Sequence, residues 1–288
     1  MADRQPERGE SENVTICVDT LTPKDENGVI RLAQISDPHL FANKAAGFLG
    51  INPWQSLSAV VEQLAEEAPL DLLLVTGDIS QDHSATAYLH FADAVAPLAL
   101  PTYALPGNHD APKLMSETLR DTSVQYGRRI LAGGWQILLL DSTVLGLPAG
   151  HLALDELRWL HGVLNSTESC PTLVALHHHP KPTGCAWLDQ HGLDNGVEFL
   201  SLLSRFPQVK AVLWGHVHQE MDLWHEHIRL LAVPSTSIQF LPKNDGFALD
   251  LAQPGYRMLN LHPDGTLTTE VKRVAGSAFL PDHSATGY

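Results

Sequence analysis

Carboxylate, carboxamide and imidazole side chains occur in this sequence as five short motifs, each directly after an apolar run. Donors of these types are ligands for Mn, Fe, Co or Zn ions rather than for Ca or Mg alone. The candidate side chains are too many to bind one ion. They suit two ions that share a bridging ligand such as Asp78, because a carboxylate offers two oxygens. Two such ions can hold a phosphate and deprotonate a bound water near neutral pH. In chain order the motifs are Asp37-Pro38-His39, Gly77-Asp78, Gly107-Asn108-His109-Asp110, His177-His178-His179-Pro180 and Gly215-His216-Val217-His218.

Each motif alone has an ordinary structural interpretation. The Asp-x-His and Gly-Asp motifs occur in turns and on surfaces, and a histidine triplet or a Gly-His-x-His sequence can be solvated. The combination carries the argument, since independent surface polarity would not follow five apolar runs in this order. We treat the remaining histidines as structural or exposed, and they include His83, His90, His151, His161, His191, His225 and His227.

Hydrophobic periodicity predicts alternating strands and helices that position these motifs. Because α/β folds place their sites at the carboxyl ends of strands, the motifs stand where a site is expected. We predict one α/β domain with mixed sheets over 29–275, after a flexible lead-in at 1–28 and before a C-terminal tail at 276–288. The predicted strands are 29–35, 72–75, 103–105, 135–140, 173–176, 209–213, 228–233, 256–261 and 267–271, and the predicted helices are 54–67, 85–95, 154–164 and 197–203.

Composition and charge narrow the classes of partner. Lys and Arg total 18 against 33 Asp and Glu, a net charge of −15, and no basic run is present, so we expect no long nucleic acid as a partner. No apolar run approaches the roughly 20 residues of a membrane span, and the polar start lacks a secretory signal, so we expect a cytoplasmic protein with no membrane partner. Three widely spaced cysteines predict reduced thiols. Serine-hydrolase, phosphate-loop and dinucleotide motifs do not occur in the sequence.

The ordered set of motifs resembles that of the calcineurin-like metallophosphoesterases. From about residue 30 the chain more narrowly resembles the bacterial class III 3′,5′-cyclic AMP phosphodiesterases of that superfamily. The resemblance implies a four-layer αββα sandwich with two mixed sheets, in which a metal-bridging hydroxide hydrolyses the small molecule cyclic AMP to 5′-AMP and so lowers cellular cyclic AMP. The segments that carry it are 40–42, 76–82, 135–142, 177–190, 215–220, 234–236 and 264–271.

Carried over residue by residue, the resemblance implies two divalent ions per chain, with Fe²⁺ or Mn²⁺ expected and Zn²⁺ or Co²⁺ suited to the same atoms. His109 would face the phosphate without binding metal, and would either stabilise charge or protonate the leaving 3′-oxygen. His177 matches the family motif without a gap, and His178 is the second candidate for that ligand. The first ion would bind Asp37, His39, Asp78 and His218, and the second would bind Asp78, Asn108, His177 and His216. The implied substrate contacts are His39, Asp78, Asn108, His109 and His218.

Two alternative functions stay open at this point. The same chemistry would suit another small phosphodiester, such as a glycerophosphodiester or a 2′,3′-cyclic nucleotide. A non-catalytic binding module on the same scaffold is the second alternative, although every ligand position holds a competent residue. Trp187 lies in a polar loop, and its side chain either stacks on a base or packs in the core.

Overall fold

The computed structural model describes residues 18–67 and 69–287, which form fifteen strands and five α-helices. The strands are β1 Val18–Leu21, β2 Ile30–Ile35, β3 Leu72–Val75, β4 Thr102–Ala104, β5 Val124–Gln125, β6 Arg129–Ala132, β7 Trp135–Leu139, β8 Thr172–Ala175, β9 Val209–Trp214, β10 Met221–His225, β11 Ile228–Ala232, β12 Gln239–Phe240, β13 Leu249–Asp250, β14 Gly255–Leu261 and β15 Leu267–Arg273. The helices are α1 Pro53–Ala65, α2 Ala85–Val95, α3 Pro112–Leu119, α4 Leu154–Ser166 and α5 Gly196–Leu203, with short 3-10 turns at Ala96–Leu98 and Leu188–His191.

Two large sheets, both mixed, form the centre of the molecule. The six-stranded sheet has the order β15-β14-β2-β3-β4-β5, with β2 to β5 parallel and β14 antiparallel to both neighbours. The seven-stranded sheet has the order β1-β6-β7-β8-β9-β11-β10, in which β7, β8, β9 and β11 run parallel. Strands β12 and β13 pair separately.

Side-chain alternation along the strands divides the core into three layers. On β2, Leu32 faces the second sheet, whereas Ala33 and Ile35 face the layer that contains α1 and α2. Inward-facing residues of β3, β8 and β9 pack against one another between the two sheets. Helices α4 and α5 cover the outer face of the seven-stranded sheet. The predicted four-layer αββα sandwich is therefore confirmed.

The sequence analysis did not predict several short elements. Strand β1 lies inside the stretch 1–28 that was predicted to be a flexible lead-in, and it pairs in parallel with β6, so that prediction is wrong for Val18–Leu21. Residues 1–17 of the predicted lead-in lie outside the described residues. Helix α3 and strand β10 were also missed, because α3 buries only Met115 and Leu119 and β10 is a half-exposed edge strand.

The segment predicted as a C-terminal tail packs on the domain. Phe279 and Gln253 exchange hydrogen bonds, and the Asp282 amide donates to the Leu49 carbonyl at 2.8 Å. Gly287 lines a cavity of about 1030 Å³. No helix within 18–67 or 69–287 combines the length and apolar character needed to cross a membrane.

Candidate metal centre

Five strand ends, from both sheets, bring the predicted ligands to one place. Strands β2, β3 and β4 lead into Asp37, Asp78 and Asn108, while β8 and β9 of the other sheet lead into His177 and His216. The candidate donors form overlapping groups whose atoms lie within 4.8 Å of one another. Seven side chains from distant parts of the sequence thus converge at the edge shared by the two sheets.

The first group of donors consists of Asp37, His39 and His218, and all three are buried. The Nε2 atoms of His39 and His218 lie 3.1 Å apart, and His218 Nε2 lies 3.3 Å from Asp37 Oδ1. Two imidazole nitrogens and a carboxylate oxygen therefore point at one small volume.

The second group consists of Asn108, His177 and His216. His177 Nε2 lies 3.1 Å from Asn108 Oδ1 and 3.2 Å from His216 Nδ1. His177 and His216 are buried, whereas Asn108 is half-buried beside the cavity.

Asp78 lies between the two groups. Its Oδ2 atom is 3.8 Å from His39 Nε2 and 3.3 Å from His177 Nε2, and its Oδ1 atom accepts a hydrogen bond from the His109 amide at 2.8 Å. Oδ2 is buried and has no hydrogen-bond partner among the described residues. A buried carboxylate oxygen without a hydrogen-bond partner lowers the stability of the fold unless a cation binds it. The donor set therefore fits a pair of bridged metal ions.

Backbone and side-chain acceptors fix the ring orientation of three histidines. His177 Nδ1 donates to the Thr76 carbonyl at 2.7 Å, and His218 Nδ1 donates to the Ile238 carbonyl at 2.9 Å. His39 Nδ1 lies 2.6 Å from Gln81 Oε1. Because each Nδ1 carries the proton in such a bond, the neutral form of each ring presents an Nε2 lone pair to the centre. Sequence reasoning missed Gln81 as a member of the site, although it lies inside the segment 76–82 that carries the family resemblance.

The loops that present the donors adopt left-handed backbone conformations at non-glycine residues. Such conformations cost about 1–3 kcal/mol each and persist only where the surrounding structure imposes them. Here they coincide with the predicted ligands Asp37, His39, Asp78, His216 and His218, with φ between 48° and 65°.

Two glycines beside the donors are required by close approach. A Cβ on Gly107 would lie 2.1 Å from Asp78 Oδ1, and a Cβ on Gly215 would lie 1.9 Å from Ser36 Oγ. The glycines of the Gly-Asn-His-Asp and Gly-His-x-His motifs therefore allow the two sheets to meet at the centre.

The histidine triplet separates into three roles. His177 directs Nε2 at the second group, as described. His178 is bound at both ring nitrogens, by Ser142 Oγ at 2.8 Å and the Pro148 carbonyl at 3.2 Å. His179 stacks on His216 with a 5.5 Å centroid separation. This geometry favours His177 over His178 as the metal ligand.

Asp110 braces two of the loops and was quoted only as part of a motif in the sequence analysis. Its carboxylate accepts hydrogen bonds from the amides of Ile79, Ser80 and Gly107 at 2.9–3.1 Å. Burial and the charge of Asp78 raise the pKa of Asp110 to about 7, against the lowering effect of those amides.

The electrostatic environment differs between the histidines. Burial lowers the pKa of His39 to about 3, and burial together with neighbouring imidazoles lowers the pKa of His216. For His177, burial is outweighed by the attraction of Asp78, and its pKa rises to about 9. The pKa of Asp78 is correspondingly lowered, because the charges of His177 and His109 overcome its burial.

Two phenylalanine rings cover the first group. Phe48 stacks on His39 with ring centroids 4.9 Å apart, and Phe240 stacks on His218 at 4.2 Å. The sequence did not indicate either phenylalanine, because neither belongs to one of the five donor motifs. They close the first group from solvent.

A cavity of about 1030 Å³ opens over the second group. Asn108, His109 and His216 lie on its floor, and His109 is half-buried there. Trp187 lines the cavity and packs edge-on against Phe240 and Phe247, as the core-packing interpretation predicts. Its stacking on a base stays a prediction.

Neither described cysteine forms a disulfide. Cys170 and Cys185 are free thiols, as the sequence predicted, and Cys17 lies outside the described residues.

Comparison with known proteins gives relatives of similar length. A family model described as calcineurin-like phosphoesterase matches residues 30–220. The chain is 48% identical over 261 residues to the 3′,5′-cyclic adenosine monophosphate phosphodiesterase CpdA of Escherichia coli (strain K12), covering 90% of this chain and 95% of that protein. It is 39% identical over 246 residues to the 3′,5′-cyclic-nucleotide phosphodiesterase alr5338 of Nostoc sp., covering 85% and 92% respectively.

Among solved structures, a dimetal phosphatase from Danio rerio is similar with a TM-score of 0.61 at 16% identity, over 85% of this chain and 99% of that one. At that identity the likeness concerns the fold alone.

Proposed function

Because the chain belongs to the calcineurin-like phosphoesterase family, we propose that it hydrolyses 3′,5′-cyclic AMP to 5′-AMP at a centre of two divalent metal ions. The family resemblance stated from the sequence is thereby confirmed. The observation that carries the choice of substrate is the 48% identity, over 90% of the chain, to a relative named for this reaction.

We assign the ligands on the geometry of the two donor groups. Asp37, His39 and His218 would hold one ion, Asn108, His177 and His216 the other, and Asp78 both. Imidazole with carboxylate and amide oxygens suits Fe²⁺ or Mn²⁺, and equally Zn²⁺ or Co²⁺. When bound, two such ions supply a Lewis acid for the phosphate oxygens and lower the pKa of a coordinated water.

We assign protonation of the leaving 3′-oxygen to His109, which lines the cavity. Its amide is held by Asp78 Oδ1, and its ring stands edge-on to His39 with centroids 5.2 Å apart. From this position the imidazole would face a phosphate bound over Asn108 and would give a proton to the 3′-oxygen as the P–O3′ bond breaks. The proposed direct substrate contacts are Asn108 and His109, which line the cavity. His39, Asp78 and His218, which the resemblance also implied, are buried and would act on the substrate through the ions they hold.

We propose that the catalytic unit comprises 29–275, with β1 and the packed segment 276–287 as additions to it. Cyclic AMP is the proposed small-molecule partner. The cytoplasmic location expected from the sequence remains a prediction.

Reconstitution with Mn²⁺ or Fe²⁺, followed by a panel of phosphodiesters, tests the proposal. The panel contains 3′,5′-cyclic AMP, 2′,3′-cyclic AMP and glycerophosphocholine, and products are identified by ³¹P NMR. We expect the highest kcat/KM with 3′,5′-cyclic AMP and 5′-AMP as its product. A low rank for cyclic AMP, or release of 3′-AMP, would overturn the substrate assignment. Far fewer than two ions per chain with no turnover would favour the binding-module alternative.

A further inference from the structure

The cavity over the metal centre is larger than a phosphate needs. At about 1030 Å³ it lies at the upper end of the roughly 300–1,000 Å³ typical of small-molecule sites. A phosphate bound at the second donor group would contact the part of the cavity that Asn108, His109 and His216 line. The rest of the space must then receive the nucleoside, if the proposed function holds.

One wall of this space is a loop over 142–151, which we call the rim loop. Its tip is a tight turn in which the Leu147 amide donates to the Val144 carbonyl at 3.0 Å and Gly146 has φ +74°. Positive φ at this turn position favours glycine. Leu145 and Leu147 at the tip are 99% and 55% exposed, and both line the cavity. The rim loop therefore presents apolar side chains beside a polar centre.

His178 ties this loop to the centre at two points. The Pro148 carbonyl can only accept, so His178 Nε2 donates to it at 3.2 Å, and Nδ1 then accepts from the Ser142 hydroxyl at 2.8 Å. The Ser142 hydroxyl also accepts from the His178 amide at 3.4 Å. A single ring thus fixes both sides of the loop tip.

The fit around His178 is tight. The side chain is fully buried, and a Cβ on Gly150 would lie 2.3 Å from its ring. His178 follows His177 directly, so the position of the rim loop depends on the same strand end that presents a metal ligand.

We propose that His178 is a positioning residue that holds the rim loop against the nucleoside of the substrate, with Leu145 and Leu147 as the specificity-determining contacts. The proposal rests on the proposed function. Apolar side chains suit this task because the faces of a purine are apolar, whereas the charged phosphate needs the polar floor. It gives His178 a role that does not involve metal ligation.

Steady-state kinetics with two substrates test the proposed role of His178 and the rim loop. Methyl p-nitrophenyl phosphate carries the diester without a nucleoside, and cyclic AMP carries both. The variants are His178→Ala, His178→Gln, which keeps a donor near the Pro148 carbonyl, Ser142→Ala and Leu145→Ser. Leu251→Ser, at a 57% exposed leucine that does not line the cavity, is the matched control.

We expect His178→Ala and Leu145→Ser each to raise KM for cyclic AMP roughly tenfold, with kcat changed less than about twofold. Turnover of methyl p-nitrophenyl phosphate and the metal content stay at wild-type values. His178→Gln recovers part of the KM loss, and Ser142→Ala shows a smaller rise than His178→Ala. Leu251→Ser leaves all values unchanged.

Loss of metal and of kcat on both substrates in His178→Ala would show a ligand role and overturn the proposal. A normal KM in Leu145→Ser would overturn the nucleoside contact, and this variant decides the question even if His178→Ala does not fold. Wild-type protein that turns over the chromogenic diester but not cyclic AMP would instead show that the proposed function has failed.

Discussion

The two donor groups on either side of Asp78 have similar chemistry but opposite surroundings. The first group is sealed, because Phe48 and Phe240 stack on His39 and His218 and all of its members are buried. The second group opens to the cavity, which Asn108 and His216 line. The contrast indicates that one ion would be held away from solvent while the other would meet the substrate.

The electrostatic contrast concerns one histidine of each group, His39 and His177, because burial also lowers the pKa of His216 in the open group. In the sealed group, burial lowers the pKa of His39 to about 3, so the ring is neutral at pH 7. In the open group, Asp78 raises the pKa of His177 to about 9, so the ring carries a proton at that pH until a cation displaces it. Metal loading should therefore depend on pH more strongly at the open group.

Replacing the residue common to both groups should have the largest effect. Asp78→Asn removes the charge between the groups, and we expect kcat/KM to fall by roughly 10³-fold or more with loss of both ions. Metal analysis and cyclic AMP turnover measure this. Asp93→Asn, an exposed change on α2, is the control. Two retained ions in Asp78→Asn would argue against a shared ligand.

Removing one ligand from each group should show which group contributes to the stability of the metal-free protein. We expect His39→Ala and Asn108→Ala each to lower turnover by about 10²–10³-fold. Only His39→Ala should also lower the melting temperature of metal-free protein, because it leaves a cavity beside Phe48 in the sealed group. Equal melting temperatures in the two variants would remove the distinction between a sealed and an open group.

Gln81→Ala should act on the sealed group alone. Gln81 holds His39 Nδ1 at 2.6 Å, and loss of such an orienting partner lowers metal affinity by about 10–100-fold. Competition with a chelating dye measures the affinity of each ion. The expected result is one weakened site and one unchanged site, with the exposed Gln125→Ala as control. Equal weakening of both sites would contradict the assignment.

Proton release gives the smallest and most specific signal. Below pH 9 the metal-free His177 ring is protonated and must become neutral to bind a cation, so we expect about one proton released per chain at pH 7. Affinity at this site should then rise about tenfold per pH unit up to pH 9. Calorimetric titration in buffers of different ionisation enthalpy counts the protons, and zero release would refute the contrast with His39.

The sequence predicted the central strands well, and the donor motifs follow these strands as expected, because both signals are local. Metal binding by the donors stays a prediction. Strand Leu72–Val75 and helix Ala85–Val95 have their predicted bounds. Strand β10 was missed because the exposed apolar side chain of Trp224 interrupts the apolar–polar alternation of Met221–His225. Helix α3 was missed because its two buried residues are too few to show periodicity.

Other features of the site depend on contacts that no local pattern encodes. Phe48 and Phe240 meet His39 and His218 only through the fold, and Asp110 braces loops from two strands. The left-handed conformations of Asp37 and Asp78 are not required by these residue types, so the sequence does not reveal them. Such features had to come from the structure.

Anomalous diffraction from crystals grown with Mn²⁺ tests the central claim most directly. We expect two peaks about 3.5–4 Å apart, with Asp78 Oδ2 in contact with both, Asp37, His39 and His218 around one and Asn108, His177 and His216 around the other. A single peak, or two peaks of which only one contacts Asp78, would contradict the account.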